Sequence, residues 1–392
     1  MQGTIYLKRE RRPRIEQGHP WIYQSEIGRL AGDVVPGGMV RVQNHAGAFI
    51  GIGYYNPLSQ ITVRLLSRYD DVIDARFLAG RLQDSLSLRR KVVSAESSAY
   101  RLVHGEADGM PGLTVDIYND IAVLQVLSLG MENLLPELLS ALSDVVAPRG
   151  IILRNDVKVR ELEGMQQEVR FAGEACETVV DFRENGFLMR ADLWQGQKTG
   201  YFLDQRENRA FIRPFVHGAR VLDCFSHTGS FAVHAAGYGA REVTAVDISD
   251  NAVEMIQHNA RENGFGTIIS AQVANAFDLL RQESEGGESY DVVMLDPPAF
   301  TKSKATLPAA RRGYKEINLR GMKLTRPGGF LVSSSCSYHL SGDDFLGILA
   351  DCAADAKRQV KLVAVRGQGM DHPVLPQARE TSYLKFVILQ VL

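Results

Sequence analysis

At 392 residues, 45% hydrophobic and 23% charged, the chain has the composition of a globular protein of two or three domains, with apolar content enough for an enzyme core. A formal net charge of -2 excludes a uniformly basic nucleic-acid coat, and no uninterrupted apolar run approaches the ~18 residues a membrane span needs. The four cysteines lack C-x-x-C spacing and the nine histidines lack H-E-x-x-H spacing, so neither a disulfide framework nor a metal centre is predicted. The N-terminus is basic with no apolar signal region behind it, and a cytoplasmic location is expected.

Lys8, Arg9, Arg11, Arg12 and Arg14 crowd the start of the chain. Such a run is a solvated face or a surface for a polyanion. The short apolar runs Val40–Val42, Ala48–Tyr54 and Ile61–Leu66, separated by Asn44-His45-Ala46-Gly47 and Asn56-Pro57-Leu58-Ser59 turns, predict a small β-barrel over 1–72. Asp74 caps a helix with Leu78, Leu82 and Leu86 on one face and Arg89, Arg90 and Lys91 at its end. Strands at Leu113–Tyr118 and Ile121–Ser128 flank an Asn119-Asp120 turn; a helix over Leu134–Val145 and a strand at Gly150–Asn155 follow. Residues 73–185 are therefore read as a linker helix and a middle α+β domain.

From 186 to 392 strands and helices alternate. The runs Arg220–Cys224, Glu242–Val246, Thr267–Val273, Asp291–Leu295 and Gly329–Ser333, separated by helix-length segments, predict an α/β domain with a parallel sheet. The last two strands, Lys361–Val365 and Leu384–Val391, are joined by an irregular stretch bearing Pro373 and Pro376, so they are expected to be antiparallel. A parallel sheet with an antiparallel last strand is the outline of a Rossmann-like class I methyltransferase.

The first strand of this domain runs into Asp223-Cys-Phe-Ser-His-Thr-Gly-Ser-Phe231, with one glycine, Gly229, where a dinucleotide fingerprint needs three. That loop suits the methionine-like tail of S-adenosylmethionine better than a pyrophosphate. Asp247 closes the second strand, where a carboxylate can accept from both ribose hydroxyls, and Asn275 and Phe277 follow the third, where an adenine would lie. The expected cofactor contacts are Asp223, Phe225, Ser226, Thr228, Gly229, Asp247, Ile248, Asn275, Ala276 and Asp296. Each also has a plainer reading: Gly229 a tight turn, Asp247 and Asn275 helix caps, Phe231 core.

The fourth strand ends in Leu295-Asp296-Pro297-Pro298-Ala299-Phe300, whose prolines stiffen the turn and fix Asp296, and Phe300 is placed to stack on a base. Cys336, ringed by Ser333, Ser334, Ser335 and Ser337, follows the fifth strand. A cysteine and an acid suffice to methylate carbon 5 of cytosine, because thiolate addition at C6 turns C5 into an enamine carbon nucleophile. The plainer reading of Cys336 is a small buried hydrophobe.

The His19-Pro20-Trp21 start, Gly105 to Thr114, Lys198-Thr-Gly-Tyr-Phe-Leu-Asp-Gln-Arg206, the Asp223 loop, Leu295-Asp-Pro-Pro and Ser335-Cys-Ser337 together resemble the RlmI family, the PUA-domain-bearing large-subunit rRNA cytosine-5 methyltransferases. The resemblance implies a PUA domain, a middle domain and a methyltransferase domain, S-adenosylmethionine as methyl donor, a cytosine of 23S rRNA as target, Cys336 as nucleophile, and a possible homodimer. In the Lys198 to Arg206 segment, Tyr201 and Phe202 are expected to wall the cofactor, the alternative being a plain helix entry. Pro298 stands where other RNA cytosine-5 methyltransferases have a second cysteine, which leaves the base for adduct release unassigned. His227, Ser230 and Asn275 also depart from the family's cofactor pattern. Lys8, Arg9, Arg11, Arg12, Arg311, Arg312 and Lys315, with Phe300, are the expected RNA contacts. Two competing readings are an amine or guanine methyltransferase built on Asp296 and Phe300, with Cys336 structural, and a non-catalytic RNA-binding factor.

Overall fold

The computed structural model describes residues 3–9, 13–301 and 303–392, so Arg11 and Arg12 lie outside the described residues. Contacts divide the chain into two units, one of Met1–Phe182, Ala191–Leu203 and Met370–Thr381, the other of Arg183–Arg190, Asp204–Gly369 and Ser382–Leu392.

In the first unit, β1 (Gly3–Leu7), β2 (Trp21–Ile22), β3 (Ile27–Ala31), β4 (Met39–Gln43), β5 (Phe49–Tyr55) and β6 (Val63–Ser67) form a sheet in the order β2-β6-β5-β4-β1-β3. Its β1–β4 pair is parallel and the remaining pairs are antiparallel. Ile5, Ile15, Ile22, Val40, Val42 and Val63 are fully buried in its core. Arg14 does not join the exposed Lys8 and Arg9: its guanidinium forks onto Glu26 at 2.8 and 2.7 Å and donates to the Trp21 carbonyl.

The helix Ala75–Val92 starts where its sequence predicts, with the Asp74 carboxylate accepting from Phe77 N at 2.9 Å. It packs with the helix Leu135–Val145 on the sheet β11-β10-β9-β8-β7, made of β7 (Ala99–His104), β8 (Leu113–Tyr118), β9 (Ile121–Val126), β10 (Gly150–Arg154) and β11 (Val169–Phe171). Asn119 takes the left-handed conformation a two-residue hairpin turn demands. The segment Met370–Thr381 completes this unit: buried Asp371 accepts from Arg101 N at 2.9 Å, and its carbonyl accepts from buried Arg89 at 2.8 Å.

The pair β12 (Val179–Glu184) and β13 (Phe187–Asp192) carries the chain from the first unit into the second and back. The second unit is built on β14 (Arg220–Cys224), β15 (Glu242–Asp247), β16 (Ile269–Val273), β17 (Tyr290–Leu295), β18 (Thr325–Ser335), β19 (Val360–Arg366) and β20 (Lys385–Val391). Their order is β16-β15-β14-β17-β18-β20-β19, and β20 runs antiparallel to both of its neighbours while the β16-to-β18 pairs are parallel. This is the sheet that the alternation and the irregular Pro373–Pro376 connection predict. β18 begins earlier than expected, at Thr325, and continues through the Gly328-Gly329 stretch by a shift of register against β17.

Helices cover the sheet. Helix Leu307–Leu324 seats Tyr314, Ile317 and Met322 in the core. It lies close to the sheet because Gly321 has no side chain: a Cβ there would stand 2.9 Å from both Leu295 and Leu331. At the start of this unit Arg209 forks onto Glu184 at 2.6 and 2.9 Å, both side chains nearly inaccessible. Beside them, burial lowers the pKa of His234 to about 4, so the ring is neutral. Its Nδ1 donates to the Ser230 carbonyl at 2.7 Å, which leaves Nε2 to accept from Asn185 at 3.0 Å.

Glu184→Ala leaves the Arg209 charge buried without this partner, and a destabilisation of about 3–5 kcal/mol is expected, read as a lower urea midpoint. A loss under about 1 kcal/mol would show that other contacts carry the pair.

Candidate active site

The site lies at the C-terminal ends of the parallel strands, where β15, β14, β17 and β18 place Asp247, Asp223, Asp296 and Cys336 in that spatial order. The chain leaves β14 through a strained loop: Phe225 (φ 63°) and His227 (φ 53°) both take positive φ before Gly229 does so at 78°. Gly229 precedes the helix Ser230–Gly237, and a Cβ on it would stand 3.0 Å from Ile256, so the position needs glycine for its conformation and for its space. Hydrogen bonds from the neighbouring elements hold the loop. The Asp247 carboxylate accepts from His227 N at 2.9 Å and from Ser249 N at 3.1 Å, and Asn259 donates to the Thr228 carbonyl at 2.8 Å.

Asp223 is 1% exposed. Its Oδ2 accepts from Ser226 Oγ at 2.5 Å, while its Oδ1 is buried with no hydrogen-bond partner. Burial, joined by the nearby Asp296 charge, pushes its pKa up to about 7. Asp296 is pushed up to about 6, first by burial and then by the charge of Asp204, against the pull of Arg209 and of hydrogen bonds from Gln205 and Ser334. Gln205 Nε2 donates to Asp296 Oδ1 at 2.9 Å and to Ser334 Oγ at 3.3 Å, tying the ends of β17 and β18 together. A buried acceptor with an unfilled lone pair beside a second high-pKa carboxyl suits a cationic ligand, which the methionine end of S-adenosylmethionine is.

Ile248 is 69% exposed directly after Asp247, an open apolar face where an adenosine would lie. Asn275 caps the helix Ala276–Gly286 by accepting from Phe277 N at 2.9 Å, and Ala276 is buried behind it. Tyr201 and Phe202 belong to the first unit. There Tyr201 is buried edge-on against Phe182, with ring centroids 4.9 Å apart, and Lys198 stands 4.4 Å over the Phe202 ring. Phe300 is partly buried among Tyr314 (4.6 Å) and Phe277 (5.7 Å) rather than standing clear of the core.

Cys336 follows the end of β18 and is partly exposed, whereas all four flanking serines are buried. Tyr314 and Ser337 share a hydrogen bond at 2.9 Å below it. The other thiols are removed from chemistry: burial pushes Cys176 and Cys224 up and Cys352 to about 12, and Cys352 Sγ donates to the Lys315 carbonyl. The cations of the helix Leu307–Leu324 are mostly spoken for. Arg311 pairs with Asp344, Lys315 with Asp355 and Arg320 with Glu316 and Glu285, while Arg312 is exposed with no ion-pair partner among the described residues.

Gln205, Arg209 and Lys385 belong to this constellation, and sequence reasoning assigned none of them a role. Gln205 sits inside the quoted Lys198–Arg206 run, and Lys385 is a cation opening an otherwise largely apolar strand, an anomaly visible in the sequence.

The sequence pattern of the S-adenosylmethionine-dependent methyltransferase family matches residues 149–386, and that of a PUA-like domain matches residues 5–68. The solved structure of a putative SAM-dependent methyltransferase from Streptococcus mutans has the same fold, with a TM-score of 0.84 at 21% identity over 100% of both chains. A putative methyltransferase complexed with SAH superposes equally well, at 20% identity. The strand order, the Asp223 loop and these matches define an S-adenosylmethionine-dependent methyltransferase. Proteins named ribosomal RNA large subunit methyltransferase I are similar throughout: that of Tolumonas auensis is 38% identical over 100% of both chains, and that of Alteromonas mediterranea 36% identical over 100% of this chain and 99% of its own. The chain belongs to the ribosomal RNA large subunit methyltransferase I family. Among the described residues no helix is long and apolar enough to cross a membrane and no cluster of side chains is arranged to hold a metal ion.

The folded pKa values of Asp223 and Asp296 both lie above the ordinary carboxylate range, so the stability each contributes is complete below that range and is lost as pH rises through about 7 and about 6. Asp223→Asn is therefore expected to raise the melting temperature above neutral pH relative to wild type, while weakening S-adenosylmethionine binding at least about tenfold. Thermal melts over the pH range and calorimetric titration measure the two effects; unchanged affinity would remove Asp223 from the cofactor site.

Proposed function

We propose that this chain transfers a methyl group to carbon 5 of a cytosine in 23S rRNA, through a transient bond between Cys336 and C6 of the base. The observation that carries the reading is the placement of Cys336 and Asp296 at the ends of adjacent parallel strands, paired in register through Leu295 and Ser333, with Gln205 bonded to both strand ends. The ribosomal RNA of the large subunit is the substrate that the relatives' name gives.

Bound S-adenosylmethionine supplies an electrophilic methyl group on a sulfonium. Asp223 Oδ1, the buried acceptor, takes its amino group; the Ser226–Gly229 loop, with Phe225 and Thr228, encloses the methionine end. Asp247 accepts from the ribose hydroxyls with the lone pairs its two backbone bonds leave over, and Ile248, Asn275 and Ala276 flank the adenine. Asp296, a carboxyl that takes up a proton near pH 6, meets N3 and N4 of a cytosine turned out of its stack and offsets the charge that develops as sulfur adds. The Cys336 thiolate adds at C6 and makes C5 a carbon nucleophile for the methyl group that S-adenosylmethionine would supply; transfer of the C5 proton to a base then returns its electron pair to the ring and expels the sulfur. Phe300, packed against Tyr314 and Phe277, supports the Asp296 turn from behind, which does not favour an amine methyltransferase stacking its base on that ring. Lys8, Arg9 and Arg312, exposed and basic, are the RNA phosphate contacts among the described cations.

RNA carrying 5-fluorocytidine traps the intermediate, because fluorine cannot leave as the C5 proton does. With S-adenosylmethionine, the wild type is expected to give a denaturation-resistant protein–RNA adduct and Cys336→Ala none. Methyl transfer to ordinary RNA persisting in Cys336→Ala, with no adduct in wild type, would move the reading to an amine acceptor at Asp296. Separately, Arg312→Ala is expected to lower the slope of log affinity against log salt by about one. An unchanged slope would return Arg312 to the solvated face.

A further inference from the structure

Lys385 opens β20 opposite Ser335, the residue before Cys336, and its Nζ donates to the carbonyl of Ser337, the residue after Cys336, at 2.6 Å. The side chain therefore runs past Cys336 from one side to the other. A second bond, to the Tyr383 carbonyl at 2.7 Å, fixes the amine between two acceptors. An ammonium so held has one N–H left; a neutral amine keeps both bonds and presents its lone pair in that remaining direction. Burial pushes the amine down to about 8, and the charge that works against this shift is that of Cys336.

We infer that Lys385 is the positioning residue for the nucleophile: it takes the proton of the Cys336 thiol and holds the resulting thiolate as its counter-ion. The S–H bond breaks, an N–H bond forms on Nζ, and the electron pair left on sulfur makes the bond to C6. On expulsion the same ammonium stabilises the departing thiolate. No oxidant or reductant takes part. This inference rests on the cysteine mechanism proposed above and deepens it, because a thiol in the ordinary range near ~8.5 is mostly protonated at neutral pH. Among the described residues, the other titratable groups near Cys336 include Tyr314 from the helix Leu307–Leu324, Asp296 beside the end of β17, and Tyr338 and His339 on its own segment. Tyr314 is neutral in this range, its pKa raised by burial, and Gln205 engages Asp296.

The test alkylates full-length wild type, Lys385→Gln, Lys385→Arg and His339→Gln with iodoacetamide from about pH 6 to about pH 10, in the absence of RNA, and follows the Cys336 peptide by mass spectrometry. S-adenosylmethionine binding confirms that each variant is folded. The wild-type midpoint is expected below ~8.5, raised by about one unit or more in Lys385→Gln, and kept low in Lys385→Arg and His339→Gln. A wild-type midpoint at or above ~8.5 overturns the inference without any variant, and so does an unchanged midpoint in folded Lys385→Gln. A shift in His339→Gln with none in Lys385→Gln assigns the effect to His339 and also overturns it. Should the coupling hold while no 5-fluorocytidine adduct forms, the cysteine mechanism fails and the Lys385–Cys336 pair remains; an adduct without coupling fails Lys385 alone.

Discussion

Crowding of negative charge in a dry place is the constraint around which the second unit is arranged. Parallel strands that end together bring their last side chains together, and here β15, β14 and β17 each carry an aspartate at or beside their last residue, that of β14 buried. Carboxylates that close repel one another and lose water at the same time, so Asp223 and Asp296 hold their protons more tightly than they would in solvent. Two remedies are built in. One is permanent: Gln205 and Ser226 donate to the acids, and the Arg209 guanidinium, locked in place by Glu184, lends a positive field. The other arrives with the cofactor, whose sulfonium and amino group are the charges this acidic pocket lacks. Methyl transfer turns the sulfonium into a neutral thioether, so the attraction that holds the cofactor weakens as the reaction completes.

The reversed last strand gives the site its cation. In a parallel sheet every strand starts on the edge away from the ligand, and the residues that open strands have no access to the chemistry. β20 runs the other way, so its first residue, Lys385, stands beside the last residue of β18. The antiparallel strand, which in the sequence reads as a topological signature, thus places an amine between the Tyr383 carbonyl and that of Ser337, the residue after Cys336. The same edge carries Gln205 against Ser334, and two of the serines around the cysteine hold these partners: Ser334 accepts from Gln205 and Ser337 shares a bond with Tyr314.

The order of strands in the second unit was legible because each is an apolar run between helix-length segments, and the Asp223, Asp247, Asp296 and Cys336 positions follow from where those runs stop. β1 and β3 were not, since β3 leaves Gly28, Arg29 and Leu30 exposed and shows no alternation. Asn275 illustrates the limit for single residues: the helix cap is present, and a cap oxygen retains a lone pair, so the plain and the functional reading describe the same atom. Gln205, Arg209 and Lys385 depend on pairings between residues 25 to 129 positions apart, which no local pattern encodes. Arg14 and Arg311 show the converse. A run of cations looks alike in sequence whether its members face solvent or, as these two do, are clamped by Glu26 and Asp344.

The composition of the first unit carries a consequence for how the chain is made. Its interior is closed by Met370–Thr381, which contributes buried Asp371 and His372 to the Arg89 and His104 side chains and the Arg101 backbone amide. A ribosome releases the N-terminal sheets long before it adds those residues, so during synthesis the Arg89 guanidinium has Asp108 and the Arg101 carbonyl but lacks its third partner, the Asp371 carbonyl. The nascent N-terminal unit is thus incomplete until the second unit has been almost entirely translated. Completion of the first unit therefore waits for almost the whole of the second.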